Sequence, residues 1–196
     1  MRSRTEILSS IFRQGETGYF QAGHIFFEAG ELPRYVYQLR TGLAYQSCFF
    51  PDGRRAIVDI FAPGNVVGLE AILSLRASGT VTATGAVKYS SVEADSFYRL
   101  MENREIAVCF TSLLVEARRR SEELAARIAR LDAPERIAAM LLDLYDRLRR
   151  RRLIARSTFN LRLTQQQIGD HLGLTGETVI AFFDGSLART SRGDHP

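Results

Sequence analysis

Apolar residues along this chain change period several times, and each change marks a new kind of element. Ile7, Leu8, Ile11 and Phe12 recur at helical spacing and predict a short amphipathic helix within residues 1–18. From Tyr19 to about Phe97 the apolar positions fall into short runs punctuated by glycine. Residues 25–27 precede Ala29-Gly30, residues 35–39 precede Gly42, residues 44–50 precede Pro51-Asp52-Gly53, and residues 56–61 precede Pro63-Gly64. Residues 79–91 alternate Val81, Ala83, Gly85, Val87 and Tyr89 as a further strand. Short strands at this spacing, separated by glycine turns, predict an antiparallel sandwich or jelly roll. Pro51-Asp52-Gly53 suits a hairpin tip, since proline presets φ and glycine accepts a positive one.

The period then lengthens. Ile106, Phe110, Leu113, Ala117, Ser121, Leu124, Ile128 and Leu131 step by threes and fours, close to a coiled-coil seam. A helix over residues 104–131 would be about 42 Å long, more than a small β-roll covers. Ile106, Phe110, Leu113, Ala117, Leu124 and Ile128 are therefore expected to meet a twin in a homodimer. Ala117 and Ser121 weaken the middle of the stripe, and burial against the chain's own β-roll is the competing arrangement. Asp132-Ala133-Pro134-Glu135 stops this helix and starts another: Asp132 caps, Pro134 fits the first turn and Glu135 closes a capping box. Ile137, Met140, Leu141, Leu144 and Leu148 form the new apolar face. The expected units are residues 1–103, 104–131 and 132–196.

Residues 163–179, LTQQQIGDHLGLTGETV, place Ile168 and Leu172 on one helical face, break at Gly173 and return an apolar residue at Val179. Thr164 can cap the first helix and Thr175 the second; Gly169 permits close helix crossing, and Gly173 suits the positive φ of a helix end. Leu174 can plug the gap between the helices. A helix-turn-helix results, although any αα-hairpin shares its outline. Phe159, Leu161 and Leu163 alternate just before it, predicting a short strand over residues 158–163.

Charge sharpens this picture. Residues 1–103 hold 10 Lys+Arg against 10 Asp+Glu, whereas residues 104–196 hold 16 against 12, so the net charge of +4 lies wholly in the half with the helix-turn-helix. That placement suits phosphate neutralisation. Arg147, Arg149, Arg150, Arg151, Arg152, Arg156 and Arg162 form a run without acids, read both as a solvated helix end and as phosphate contacts. Cys48 and Cys109 fit no metal spacing and are expected to be small buried hydrophobes. The histidines His24, His171 and His195 are scattered, which argues against a jelly-roll metalloenzyme; no metal or other cofactor is predicted. No run of about 18 apolar residues occurs, and MRSRTEILSS lacks an apolar signal core. A cytoplasmic protein with no membrane partner is expected.

The pattern L-T-x-x-x-I-G-x-x-L-G-L-T-x-E-T-V resembles the helix-turn-helix of the Crp/Fnr family of bacterial transcription regulators. GHIFFEAGELPRYVYQLRTG, with turns at Gly23, Gly30-Glu31 and Gly42, resembles the opening of that family's cyclic-nucleotide-binding-type β-roll. FAPGNVVGLEAIL is similar to its phosphate cassette. The resemblance implies an α+β chain: an N-terminal antiparallel β-roll sensor, a long dimerisation helix and a C-terminal helix-turn-helix. It implies DNA, a second copy of the chain and RNA polymerase as partners. Thr164, Gln166, Thr175 and Thr178 would contact phosphates beside Gly176, and Glu177 would accept from a cytosine amino group. Gly68, Leu69, Glu70 and Ser78 would border the effector pocket.

Two departures from the family pattern carry consequences. Nucleotide-binding members have Gly-Glu and Arg-Ser pairs where this chain has Gly68-Leu69 and Ala77-Ser78. A buried phosphodiester needs a charge-assisted partner, and Arg76, read as lying on a strand, would point to the opposite face. No tight cyclic-nucleotide binding is expected, and residues 1–47 lack the cysteines an iron–sulfur sensor needs. His24 alone could serve haem in the roll and is read as structural, so the signal is unassigned. Past Val179 the family has an arginine for guanine, further apolar residues and a wing. Here Ala181 takes the arginine position, and Phe182-Phe183-Asp184-Gly185 leads into a polar tail. Codons ATC-GCN for Ile180-Ala181 read CGC, arginine, in a shifted frame, so the tail from about residue 180 is expected to be a frameshift product with an incomplete wing and lost packing around Leu161, Leu172 and Val179. The expected function is an operator-binding homodimeric regulator whose DNA binding is weak as written. A DNA-defective chain that heterodimerises with an intact homologue is the competing function.

Overall fold

Ser3 accepts from the backbone N–H of Glu6 while Glu6 returns a bond to the Ser3 N–H, a capping box that opens α1 (Arg4–Phe12). The computed structural model describes residues 3–151, 153–154 and 160–190. After α1 come β1 (Glu16–Phe20), β2 (Ile25–Phe27), β3 (Tyr35–Thr41), β4 (Ala44–Phe49), β5 (Arg55–Phe61) and β6 (Val66–Val67). A 3-10 turn, Leu69–Leu73, then leads to β7 (Thr80–Ala83) and β8 (Val87–Glu93). Helices α2 (Ala94–Met101), α3 (Arg104–Arg130), α4 (Ala133–Arg150), α5 (Gln165–Leu172) and α6 (Gly176–Thr190) follow.

The strands form two four-stranded antiparallel sheets, ordered β1-β8-β3-β6 and β2-β7-β4-β5. Between them lies a core of Phe26, Phe27, Tyr37, Leu39, Val67, Val81 and Val87. The α+β architecture with an N-terminal roll is thus as expected, with three local corrections. Residues 79–91 are not one strand: Thr84 bonds back to the Leu43 carbonyl, and β7 and β8 go to different sheets. Residues 94–101 are helical, because Phe97 turns with Leu100 and Met101 onto a second core. Of the strand expected over residues 158–163, Thr158 and Phe159 lie outside the described residues. Residues 160–163 form no strand, since Leu161 and Leu163 pack toward the helices and no neighbouring strand among the described residues pairs with them.

The second core lies outside the roll, where Phe12, Val36, Phe97, Phe110 and Leu113 pack together. Phe110 and Leu113 therefore belong to the chain's own interior and are unavailable to a twin; Ile106 is partly buried beside them. Aromatic burial on the roll's flank is more favourable than leaving the rings for a partner, which corrects the seam in its first half. Ala117, Leu124 and Ile128 remain partly or fully accessible. A third core joins Tyr45, Ile57 and Ile60 of the roll to Ile137, Met140, Leu144, Ile168, Leu172 and Val179. Asp132 and Glu135 form the expected capping box at the start of α4. Cys109 is buried, which pushes its thiol up, while Cys48 is only half-buried, so the expectation for it was too strong. No helix among the described residues is long and apolar enough to cross a membrane.

Candidate functional site

The two C-terminal helices are set by local chemistry. Thr164 Oγ1 accepts from the Gln167 N–H at 3.1 Å, and Gln167 Oε1 accepts from the Thr164 N–H at 2.9 Å, closing a capping box on α5. Gly173 ends α5 at φ 66°, where a Cβ would be strained. A Cβ added at Gly169 would lie 2.6 Å from the Leu174 carbonyl oxygen, so only glycine allows this crossing. Thr175 Oγ1 accepts from the Thr178 N–H at 3.2 Å and lies 2.9 Å from the Thr178 hydroxyl, capping α6. Beneath, Ile168, Leu172 and Val179 are fully enclosed, with Leu174 partly buried against them.

What the pair presents outward is polar. Thr164, Gln166, Thr175 and Glu177 are exposed and Gly176 and Thr178 half-buried. Gln166 Oε1 lies where a Cβ at Gly176 would sit 3.3 Å away, so the starts of the two helices meet. Gln166 also donates to Asp170 at 2.8 Å, which limits its freedom to reach a phosphate. Ala181, one turn after Glu177, is exposed and offers only a methyl group at the edge where a base contact would continue. Contrary to the sequence expectation, the helix does not fail at Val179: α6 continues, and Phe182 and Phe183 pack edge to face at 5.4 Å against the core of Leu161, Leu172 and Val179. Two aromatic rings thus supply the packing expected to be lost. The residues that would carry a wing, beyond Thr190, lie outside the described residues.

The arginine run divides. Arg147 turns inward, donating to the Ile60 carbonyl at 2.6 Å and to Asn65 Oδ1 at 2.7 Å, so phosphate contact does not apply to it. Arg162 lies over Gly85 of the roll; Arg149 and Arg150 are exposed. Arg152 and Arg156 lie outside the described residues.

Sequence reasoning missed a seam between reader and roll. Arg55 of β5 pairs with Asp170 of α5 at 2.6 Å and stacks over Tyr45 at 5.5 Å. His171 Nδ1 is 2.9 Å from the Ile57 carbonyl oxygen, which can only accept, so Nδ1 carries the proton. Burial lowers the His171 pKa below its ordinary value, against smaller opposing effects of the Ile57 bond and Asp59. No spacing rule links residues so distant in the chain.

In the roll, a cavity of about 210 Å³ lies between the sheets and α3. Gly68, Leu69 and Glu70 line it; Ser78 does not, but accepts at 3.0 Å from Gln46, which does. Phe27, Phe61, Val81 and Leu113 are among the apolar residues of its wall. The guanidinium in the lining, Arg120, is already paired bidentately with Asp59 at 2.7 and 3.2 Å. Arg76 is outside the lining and donates to the Gly30 carbonyl at 2.7 Å. It sits on an irregular segment, so a loop contact, and not strand alternation, turns it away. His24 stacks on Phe20 at 3.7 Å, clear of the cavity.

Residues 17–104 match the cyclic nucleotide-binding domain and residues 135–184 the Crp-like helix-turn-helix domain. The nitrogen fixation regulation protein FixK of Bradyrhizobium diazoefficiens is 30% identical over 170 residues, covering 86% of this chain and 70% of that protein. The transcriptional activatory protein AadR of Rhodopseudomonas palustris is 30% identical over 158 residues, 80% of this chain and 65% of that one. Six of these curated relatives, taken together, are spanned by this chain over 58–70% of their length. The solved structure of FixK2 from Bradyrhizobium japonicum superposes with a TM-score of 0.80 at 25% identity, over 90% of this chain and 86% of that one.

Proposed function

This chain belongs to the Crp/Fnr family of DNA-binding transcription regulators, and from that premise we propose that it acts as a cytoplasmic homodimer reading a two-fold operator under control of a signal sensed in the roll. Residues 1–103 would form the sensor, 104–131 the dimerisation helix and 132–196 the reader. The observation that carries the reading is the polar start of α6, where Thr175 and Glu177 are exposed above the sealed contact of Ile168, Leu172 and Val179. A first turn of this kind meets base edges in the major groove, and two copies would address half-sites about 34 Å apart. In this reading Glu177 accepts from a base amino group, while Thr164, Gln166, Thr175 and Thr178 hold the backbone. RNA polymerase is the expected partner of the bound dimer. Gly68, Leu69 and Glu70 border the effector site, whose apolar wall and occupied Arg120 disfavour a cyclic phosphate.

The exposed Ala181 makes DNA binding weak. Selection of duplexes by this chain and by A181R, followed by gel shifts at physiological salt, tests the assignment. A181R is expected to sharpen one base position per half-site by about 1–3 kcal/mol, while the unaltered chain shows low specificity. Nanomolar, sequence-specific binding by the unaltered chain would contradict the weak-binding part. Failure of both chains to select any common sequence would remove the operator reading altogether.

A further inference from the structure

Where roll and reader meet, α1, the β5–β6 turn, α3 and α4 enclose a cleft of about 600 Å³. Six arginines line it, Arg4, Arg119, Arg120, Arg147, Arg150 and Arg151, against two carboxylates, Glu116 and Asp143. Arg4 is held by Glu116 at 2.7 Å, Arg120 by Asp59 at 2.7 Å, Arg147 by Asp143 at 3.3 Å, and Arg119 by Glu123. Arg150 and Arg151, at the end of α4, have no carboxylate partner among the described residues. Among the described residues Arg151 donates to the Gly64 carbonyl at 3.5 Å, and its guanidinium lies so close over Gly64 that a Cβ there would be 2.4 Å from Cζ. Burial, and then the positive charge of Arg4, hold Arg151 below the ordinary guanidinium range against the smaller opposing effect of Glu116. Cation is packed here beyond what nearby carboxylates neutralise.

Guanidinium forks bind phosphate oxygens bidentately, and forks converging on a concave site suit a ligand with more than one phosphate group. We propose that this cleft binds a small polyphosphate anion, of the pyrophosphate or nucleoside polyphosphate class, which ties α4 to the β5–β6 turn. The cleft adjoins the roll cavity bordered by Gly68 and Glu70, sharing Asn65, Leu113, Glu116 and Arg120 with it, while Arg150 and Arg151 line the cleft alone. Arg120 and Arg147, whose side chains are only 18% and 14% exposed, are already held by Asp59 and Asp143, so Arg150 and Arg151 are the forks that meet the anion. Binding itself stands apart from the regulatory reading; only its effect on DNA affinity rests on that reading.

Calorimetry of the full chain with inorganic pyrophosphate and tripolyphosphate, at about 0.15 M salt, tests this. Saturable binding of one anion per chain is expected, weakened roughly tenfold or more by R150A/R151A and less by R150K/R151K. A thermal scan checks that both variants remain folded. Heats matching those of sulfate or orthophosphate at equal ionic strength would overturn the proposal, as would undiminished binding by R150A/R151A. Duplex binding, followed by fluorescence anisotropy, separates the remaining case: if R150A/R151A loses DNA affinity while neither protein takes up pyrophosphate, these arginines serve the DNA backbone and the anion site is refuted, with the regulator reading intact.

Discussion

His171 shows how much a single side chain can gain meaning from its setting. Its ring donates to the Ile57 carbonyl and faces Asp59, Asp143 and Arg147. Burial favours the neutral imidazole, so the folded pKa lies below the unfolded value of about 6.5. The sign follows from proton counting: below that unfolded value the unfolded chain binds the extra proton first, so acid drives unfolding. The stabilisation from the neutral ring is complete above the unfolded pKa and declines as pH falls from there through the folded pKa. Thermal melts between about pH 7.5 and 5.5 should show stability dropping toward the acid end. H171N keeps a donor for the Ile57 carbonyl without titrating and should flatten that slope; an unchanged slope would assign it to other groups. None of this was legible beforehand, since His171 looks in sequence like any polar residue on a short helix. The seam partner Arg55 lies on a strand whose register no local rule joins to α5.

At the scale of elements, legibility followed the locality of the cause. The caps at Thr164 and Asp132 and the left-handed Gly173 are dictated by neighbours three or four residues away, and each formed as its sequence implies. Gly169 is the same kind of feature read across a turn. G169A is expected to cost about 1–3 kcal/mol by forcing the two helices apart, measurable as a lower melting temperature with lost DNA binding. A neutral result would mean that the helices slide without loss. The elements that escaped reading depend on distant partners. Alternation alone could not show that β7 and β8 diverge into separate sheets, nor that Phe97 turns into a helix over the roll. The tail is a different case: Phe182 and Phe183 depart from the family pattern yet satisfy the same apolar core, because burial is indifferent to which ring fills it.

For the whole molecule, the proposed dimer turns on the long helix. Phe110 and Leu113 are committed to the roll's flank, yet Val108 and Val115, 53% and 63% exposed, and Leu114 leave another face of α3 bare. An unpartnered apolar face on a helix of this length fits an intersubunit seam shifted around the helix from the stripe first inferred. V115D is therefore expected to shift sedimentation toward monomer with little change in fold stability. F110A should instead destabilise the chain by about 3–5 kcal/mol in chemical denaturation. A V115D protein that still sediments as a dimer would place the seam elsewhere.

The strand β5 contributes Asp59 and Phe61 to the roll cavity, while its Arg55 and Ile57 fasten α5. One strand is therefore a shared wall between two compartments that descend from separately recognisable sequence families. Recombination at residue 132 would part that wall from the helix it fits: a chimera bearing this reader on a foreign roll would inherit the DNA face without its bearing. This reader is therefore expected to keep its bearing only when β5 travels with it, as a wider unit than either module.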